Sequence, residues 1–287
     1  MISKVEIEKL LGKPIVNIPL DLDNMYIRNH IITSEDGKRY FIKYGPKSKR
    51  FYCEANGINE IAKSATIRVP RVACCTDSFI ITEFIEGGIH NKNFFENFGN
   101  AFAKMHKDSA AEFGFIEDNF IGESIQANIA TGSEKTNWCE FYMNKRLMFQ
   151  YRMAEKNGYA SKSLAKGIFN LEKSLSKILK ESEEPPALLH GDLWSGNFMC
   201  GTDGEAIIID PAVYYGHREA DLAMTMLFGG FPQIFYDSYH NEFPLKPGWE
   251  SRINIYKLYH ILNHLNIFGR GYLYEAEILA NSYICNN

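Results

Sequence analysis

One stretch of the 287-residue chain constrains it more than any other: Leu189-His190-Gly191-Asp192-Leu193-Trp194-Ser195-Gly196-Asn197, followed closely by Ile207-Ile208-Ile209-Asp210. Together they read H-x-D-x-x-x-x-N and then an apolar strand that ends on Asp. The pattern suits phosphoryl transfer. A hydroxyl is a weak nucleophile at neutral pH, and a nucleotide triphosphate is heavily negative. A positioned base and a positioned divalent cation address those two obstacles. Asp192 is the candidate base. Asn197 and Asp210 are the candidate magnesium ligands, because magnesium prefers hard oxygen donors and keeps several waters. Strand Ile207–Ile209 reads as buried, so the Asp210 carboxylate is expected to be buried and to need a partner. His190 is expected to brace the loop backbone rather than to do chemistry.

The sequence before this loop falls into two parts. Residues 5–11 read as a short helix. Tyr26–Thr33 and Arg39–Tyr44 read as strands joined through Asp36-Gly37, a strong hairpin signal. A helix is predicted over Ser48–Ala62, and strands over Val69–Cys75 and Phe79–Phe84. Gly87-Gly88 breaks the pattern and marks a hinge. Beyond it Phe94, Phe95, Phe98, Ala101, Phe102 and Met105 recur at helical spacing. Lys107–Thr136 is polar and reads as a loop, long enough to be a candidate functional segment. Helices are predicted at Trp138–Lys156, Ser161–Lys180, Glu219–Phe228, Ile253–Phe268 and Tyr274–Tyr283, with a strand at Ala187–Leu189. This order predicts an α+β, bilobal, protein-kinase-like fold. Residues 1–86 form a small mixed α/β nucleotide-binding lobe, and 87–287 a larger, mainly helical catalytic and substrate-binding lobe.

Further candidates lie in the small lobe. Phe41 and Lys43 share a strand face, which predicts Phe41 near a nucleotide base and Lys43 near the phosphates. Glu54 falls on the same helix face as Phe51, Ile58 and Ile61, and an ion pair with Lys43 explains an acid among apolar neighbours. Glu83, Phe84 and Ile85 enter the hinge, where backbone groups of Glu83 and Ile85 are candidates for the base edge. Asp221 begins a helix. It either binds backbone N–H groups of the catalytic loop or complements the helix dipole.

Composition excludes more than it assigns. A formal net charge of −4 gives no electrostatic case for nucleic acid or an anionic membrane. No apolar run is long enough to span a bilayer. The amphipathic N-terminus lacks the pattern of a secretory signal. The six cysteines are scattered, as expected of reduced thiols in a cytoplasmic protein.

Several runs resemble the fructosamine kinase, or ketosamine kinase, family, relatives of aminoglycoside and choline kinases. They are His190–Asn197, Asp210-Pro211-Ala212, Tyr215-Gly216-His217-Arg218-Glu219-Ala220-Asp221-Leu222-Ala223, Phe228-Gly229-Gly230-Phe231, Phe113-Gly114-Phe115 with Asn119-Phe120-Ile121-Gly122, and Trp138 with Glu140-Phe141-Tyr142 and Arg146-Leu147. The H-x-D core is widespread; the L-W-S-G-N tail and the Y-G-H-R-E-A-D-L-A run are more specific. The resemblance implies ATP and Mg2+ as cofactors. It implies phosphorylation of a sugar hydroxyl on a small-molecule or protein-bound ketosamine, which destabilises the adduct and frees the amine. Trp194 is the candidate platform for the sugar. The family's phosphate loop usually carries glycine, whereas Pro14–Asn29 has none and brings in Asp21 and Asp23. Competing readings are an aminoglycoside- or choline-type kinase, a pseudokinase that binds nucleotide without turnover, and a two-metal phosphoesterase. The sequence leaves the oligomeric state open.

Overall fold

The computed structural model describes residues 2–18 and 26–283. Asp21, Asp23 and Cys285 lie outside them, so only the flanks of the glycine-free segment are described. Helix α1 (Lys4–Leu11) begins where the Ser3 hydroxyl accepts from the Glu6 amide, and ends at Gly12 with φ +66°. Strands β1 (Ile15–Asn17), β2 (Arg28–Ser34), β3 (Arg39–Tyr44), β4 (Val72–Cys75) and β5 (Phe79–Glu83) form one antiparallel sheet in the order β1-β2-β3-β5-β4. The β2–β3 turn has Gly37 at φ +79° and its amide donates to Ser34 O at 2.9 Å, as the Asp-Gly pair predicts. Register sets Lys43 opposite Asn29 on one side and Ile80 on the other. Helix α2 (Arg50–Ser64) buries Phe51 and Ile58 in one apolar cluster with β5's Ile80, while its Ile61 joins the core of the large lobe.

The large lobe is helical. Helices α3 (Phe94–Met105) and α6 (Lys162–Leu179) are amphipathic, and α4 (Trp138–Tyr142) joins α5 (Met148–Lys156) through a π turn at Met143–Leu147. Short strands β8 (Ala187–Leu189) and β11 (Tyr214–Gly216) pair, as do β9 (Phe198–Cys200) and β10 (Ala206–Ile208). Helices α7 (Glu219–Thr225), α8 (Gln233–Glu242), α9 (Trp249–Phe268) and α10 (Leu273–Asn281) complete it. One apolar core lies among α4–α7, α9 and α10, and a second is packed by α3, α8 and the β8–β10 segment.

Two expectations change. Lys107–Thr136 is not a plain loop. It contains the hairpin β6 (Asn119–Ile121) and β7 (Ser124–Gln126), whose three-residue strands are too short to show a period. The hairpin reaches the small lobe: Arg50 donates to both carboxylate oxygens of Glu123 at 2.8 and 3.0 Å, and Asn56 to Glu117 at 2.7 Å. The predicted helix over Glu219–Phe228 stops at Thr225, and α8 follows unpredicted, although Phe235 and Tyr239, four residues apart, mark its buried face. At the expected hinge, Gly88 also serves close approach. Its amide donates to Cys200 O at 2.7 Å, and a Cβ there would lie 2.1 Å from Gly201 O.

Helix α3 carries His106 to the site, and its packing on α8 depends on Gly99, where a Cβ would meet Phe235 O at 2.2 Å. Gly99→Ala forces the helices apart. It should destabilise the protein by about 2 kcal/mol, the usual cost of overpacking, read as a lower urea midpoint at unchanged m-value. An unchanged midpoint would show that this packing is not tight.

Candidate active site

Strand β8 delivers His190 and Asp192 to the cleft, and Gly191 between them turns the chain. Its φ is +82°, and a Cβ would lie 2.0 Å from Ala212 O, so only glycine fits. The turn is held by Asp221 at the start of α7. The His190 amide donates to Asp221 Oδ2 at 2.6 Å, and the Gly191 amide to Oδ1 at 2.8 Å. His106 Nε2 lies 3.2 Å from Oδ2, and His106 Nδ1 lies 2.7 Å from the Tyr239 hydroxyl. Burial opposes the Asp221 charge, but His106, His190 and the Gly191 amide outweigh it and hold its pKa below the usual value. Burial lowers the pKa of His106. The neutral ring donates from Nε2 to Asp221 and accepts from Tyr239.

His190 is buried, and burial likewise lowers its pKa. The Asp192 amide donates to His190 Nδ1 at 3.2 Å, so the ring proton sits on Nε2 and is donated to Ile209 O at 3.0 Å. Asn197 Nδ2 donates to Asp192 O at 2.8 Å and to Asp192 Oδ2 at 3.2 Å. Among the described residues, this leaves Asp192 Oδ1 and Asn197 Oδ1 without hydrogen-bond partners. Burial, then the charges of Asp210 and Asp221, raise the Asp192 pKa well above the usual carboxylate range.

Across the cleft Lys43 is buried, and its ammonium donates to Glu54 Oε1 at 2.8 Å and to Asp210 Oδ1 at 2.7 Å. Burial works against the Lys43 charge, but the two carboxylates outweigh it and raise its pKa. The Lys43–Glu54 pair is therefore present, and the lysine also joins the lobes. Asp210 differs from expectation. It stands just past buried β10 with its side chain 45% exposed to the cleft, so its carboxylate is not buried. Its φ is +53°, a backbone state uncommon outside glycine.

Beside these groups lies a cavity of about 370 Å³, lined by Ile31, Phe41, Glu83, Phe84, Ile85 and Met199 among others, with Glu54 and Asp210 at its edge. The predicted nucleotide residues therefore converge. The Glu83 amide already donates to Arg71 O at 2.9 Å. The Glu83 carboxylate pairs with Arg68 at 3.2 Å, and the Arg39 guanidinium lies 4.3 Å from the Phe84 ring centre. Trp194 is 37% exposed and meets Phe228 edge-on at 6.3 Å.

Among the described residues no three His, Cys, Asp or Glu side chains cluster as a metal site. The donor set does fit one magnesium that shares its shell with phosphates: Asn197 Oδ1 is turned free by its own amide bonds, and Asp210 Oδ2 is free of Lys43.

Sequence reasoning missed His106 and Phe228 as site elements. His106 continues the Phe98–Phe102 spacing of α3, so a polar residue on an apolar helix face was a readable signal. The signal at Phe228 was an aromatic residue directly before Gly229-Gly230. The charged residues of the Y-G-H-R-E-A-D-L-A run turn out to be internal ties. Arg218 pairs bidentately with Glu184 at 2.7 and 2.9 Å. Glu219 pairs with Arg252 at 2.6 Å, and His217 Nε2 donates to Ser182 O at 2.6 Å.

A lysine–glutamate pair facing a loop with Asp and Asn, in two lobes of this topology, defines a protein-kinase-like phosphotransferase. The model of the family described as fructosamine kinase matches residues 17–285. A protein of Synechocystis sp. named as a ketoamine kinase is 40% identical over 250 residues, covering 84% of this chain and 82% of the relative. The chloroplastic protein-ribulosamine 3-kinase of Oryza sativa subsp. indica is 38% identical over 260 residues, covering 87% and 73%. A crystal structure from Thermobifida fusca YX-ER1, titled as a fructosamine-3-kinase, superposes with a TM-score of 0.88 at 30% identity, covering 97% of each chain. The chain belongs to the fructosamine kinase family, and the family implies ATP as the phosphoryl donor.

Behind the loop, α9 carries His260, whose Nδ1 has no partner among the described residues. Burial pushes its pKa down to about 3. A folded-state value below the unfolded value of about 6.5 gives stability that is present above pH 6.5 and lost as pH falls. Between pH 7.5 and pH 5 this group alone removes about 2 kcal/mol. Urea unfolding at those two pH values should show wild type losing about 2 kcal/mol more than His260→Gln. Equal losses would contradict the burial of a neutral ring.

Proposed function

We propose that the enzyme transfers the γ-phosphoryl group of ATP to a sugar hydroxyl of a ketosamine, with Asp192 as the base. The observation that carries this reading is the contact of Lys43 in the small lobe with Asp210 in the large lobe, beside the Asp192–Asn197 pair. It gathers a cation suited to phosphates, oxygen donors suited to magnesium and the candidate base at one cleft. The names of the relatives, ketoamine kinase and protein-ribulosamine 3-kinase, support a ketosamine rather than an aminoglycoside or choline. We infer a ribulosamine or fructosamine adduct as the acceptor class.

In this reading the base of ATP enters the 370 Å³ cavity against Phe41 and Phe84, with the Ile85 amide and Glu83 carbonyl at its edge. Lys43 binds the phosphates, and Glu54 keeps it aimed. Asn197 and Asp210 would hold Mg2+, which supplies charge neutralisation on the phosphates when bound. Trp194 offers the sugar an aromatic face. Asp192 Oδ1 takes the proton of the acceptor hydroxyl as its oxygen bonds to the γ-phosphorus, and ADP leaves. His190 and Asp221 hold the loop and touch neither substrate. The lobe boundary falls at residues 86/87. No described helix is long and apolar enough to cross a membrane, and the five described cysteines are free. The free thiols support action in a reducing compartment such as the cytoplasm, on glycated small amines or proteins.

The test combines substrate choice with the base. With magnesium–ATP, wild type should show higher kcat/KM for ketosamines than for aminoglycosides or choline. Asp192→Asn should lose about 10²–10⁴ in kcat and keep its ATP affinity by calorimetry. A better aminoglycoside or choline substrate would overturn the acceptor. Near-normal turnover in the variant would overturn the base.

A further inference from the structure

A strip of aromatic rings begins at the catalytic loop and continues along the C-terminal half of α9. Trp194 meets Phe228 at 6.3 Å, and Phe228 meets His264 at 5.0 Å. His264 lies 5.4 Å from Phe268 and 5.2 Å from Tyr272, which are 6.1 Å from each other. His264 is fixed in the ladder because its Nδ1–H donates to His260 O at 2.7 Å. Trp194, Phe228 and Phe268 are 37%, 45% and 66% exposed. Contiguous exposed rings of this kind mark a binding surface more often than a fold requirement.

The backbone gives an independent reason. Phe228 has φ +53°, and Gly229 and Gly230 follow at +100° and +70°. A bulky residue in the left-handed region costs about 1–3 kcal/mol, and such strain concentrates at functional sites. The chain already uses glycine at the next two positions, so a third would remove the strain. Instead a phenylalanine is held there, with its ring against Trp194 and nearly half exposed. Folding alone gives no reason for that choice.

We propose that Phe228, Phe268 and Tyr272 form the subsite for the amine-bearing half of the acceptor. The inference rests on the ketosamine reading above and extends it from the sugar to its carrier. A ketosamine nitrogen is a secondary amine, protonated near neutral pH, with a hydrocarbon chain beyond it. The faces and edges of the rings suit both parts: the cation by its attraction to aromatic faces, and the chain by apolar contact. The strip itself contains no carboxylate, and its outer end is Phe268, the most exposed ring. A carrier can therefore extend beyond the site, as the side chain of a glycated lysine would. The strip selects for a long or apolar carrier over a minimal one.

The experiment compares two acceptors that share one sugar, carried on the side chain of Nα-acetyl-lysine or on methylamine. Wild type should have the higher kcat/KM for the lysine adduct. Phe268→Ser should lower the ratio of the two kcat/KM values about three- to tenfold, with KM for ATP unchanged. Phe228→Gly should lower the ratio similarly while unfolding at higher urea concentration, because it relieves the strain. It also covers the case in which Phe268→Ser fails to fold. A ratio unchanged in a folded variant overturns the subsite and leaves ketosamine phosphorylation standing. A wild type that phosphorylates neither adduct overturns the ketosamine reading, and the subsite with it.

Discussion

The site depends first on one buried carboxylate. Asp221 accepts the amides of His190 and Gly191, and without it two buried donors would be left unpaired, at about 1–3 kcal/mol each. Those amides belong to the turn that aims Asp192. The rest of the large lobe is arranged to keep Asp221 charged and still. His106 comes from α3, Tyr239 from α8 holds His106 in turn, and Arg218 and Glu219 lock the start of α7 to Glu184 and Arg252. A base on a flexible loop would lose much of the benefit of proximity, since small misplacements cost large factors in rate.

The second dependence crosses the cleft. Lys43 is shared between Glu54 and Asp210, so the position of α2 bears directly on the phosphate and metal groups. The β6–β7 hairpin steadies that helix through Arg50–Glu123, and the residues leading into it through Asn56–Glu117. The first pair is largely exposed on the Glu123 side, and on its own would contribute under about 1 kcal/mol. Its role is geometric: together with the Tyr215 hydroxyl, which donates to Glu60 at 3.0 Å, it ties α2 to the large lobe at several points.

Much of this was legible in the sequence, for identifiable reasons. Lys43 and Glu54 were readable because strand alternation and helix periodicity put each among neighbours that make a charge anomalous. The convergence of Asp192, Asn197 and Asp210 on one cleft was readable because their spacing fits one loop followed by one strand. The role of Asp221 was only half readable: a first-turn acid has a local explanation, and the bonds to His190 and Gly191 span about thirty residues. The β6–β7 hairpin was not readable, because three-residue strands carry no period. The contact of Phe228 with Trp194 was not readable, because it depends on a backbone angle that the sequence does not display. The exposure of Asp210 was misjudged because burial of β10 was extended two residues too far.

The central claim is that this cleft brings an acceptor hydroxyl to Asp192 while Asn197 and Asp210 hold the metal on the nucleotide. The most direct measurement is a crystal structure with a non-hydrolysable ATP analogue, magnesium and a ketosamine. The account predicts a sugar hydroxyl within about 2.6–3.2 Å of the Asp192 carboxylate, magnesium bound by Asn197 Oδ1 and Asp210, and Lys43 on the phosphates. A sugar bound with no hydroxyl in reach of Asp192, or magnesium held by other side chains, would contradict it.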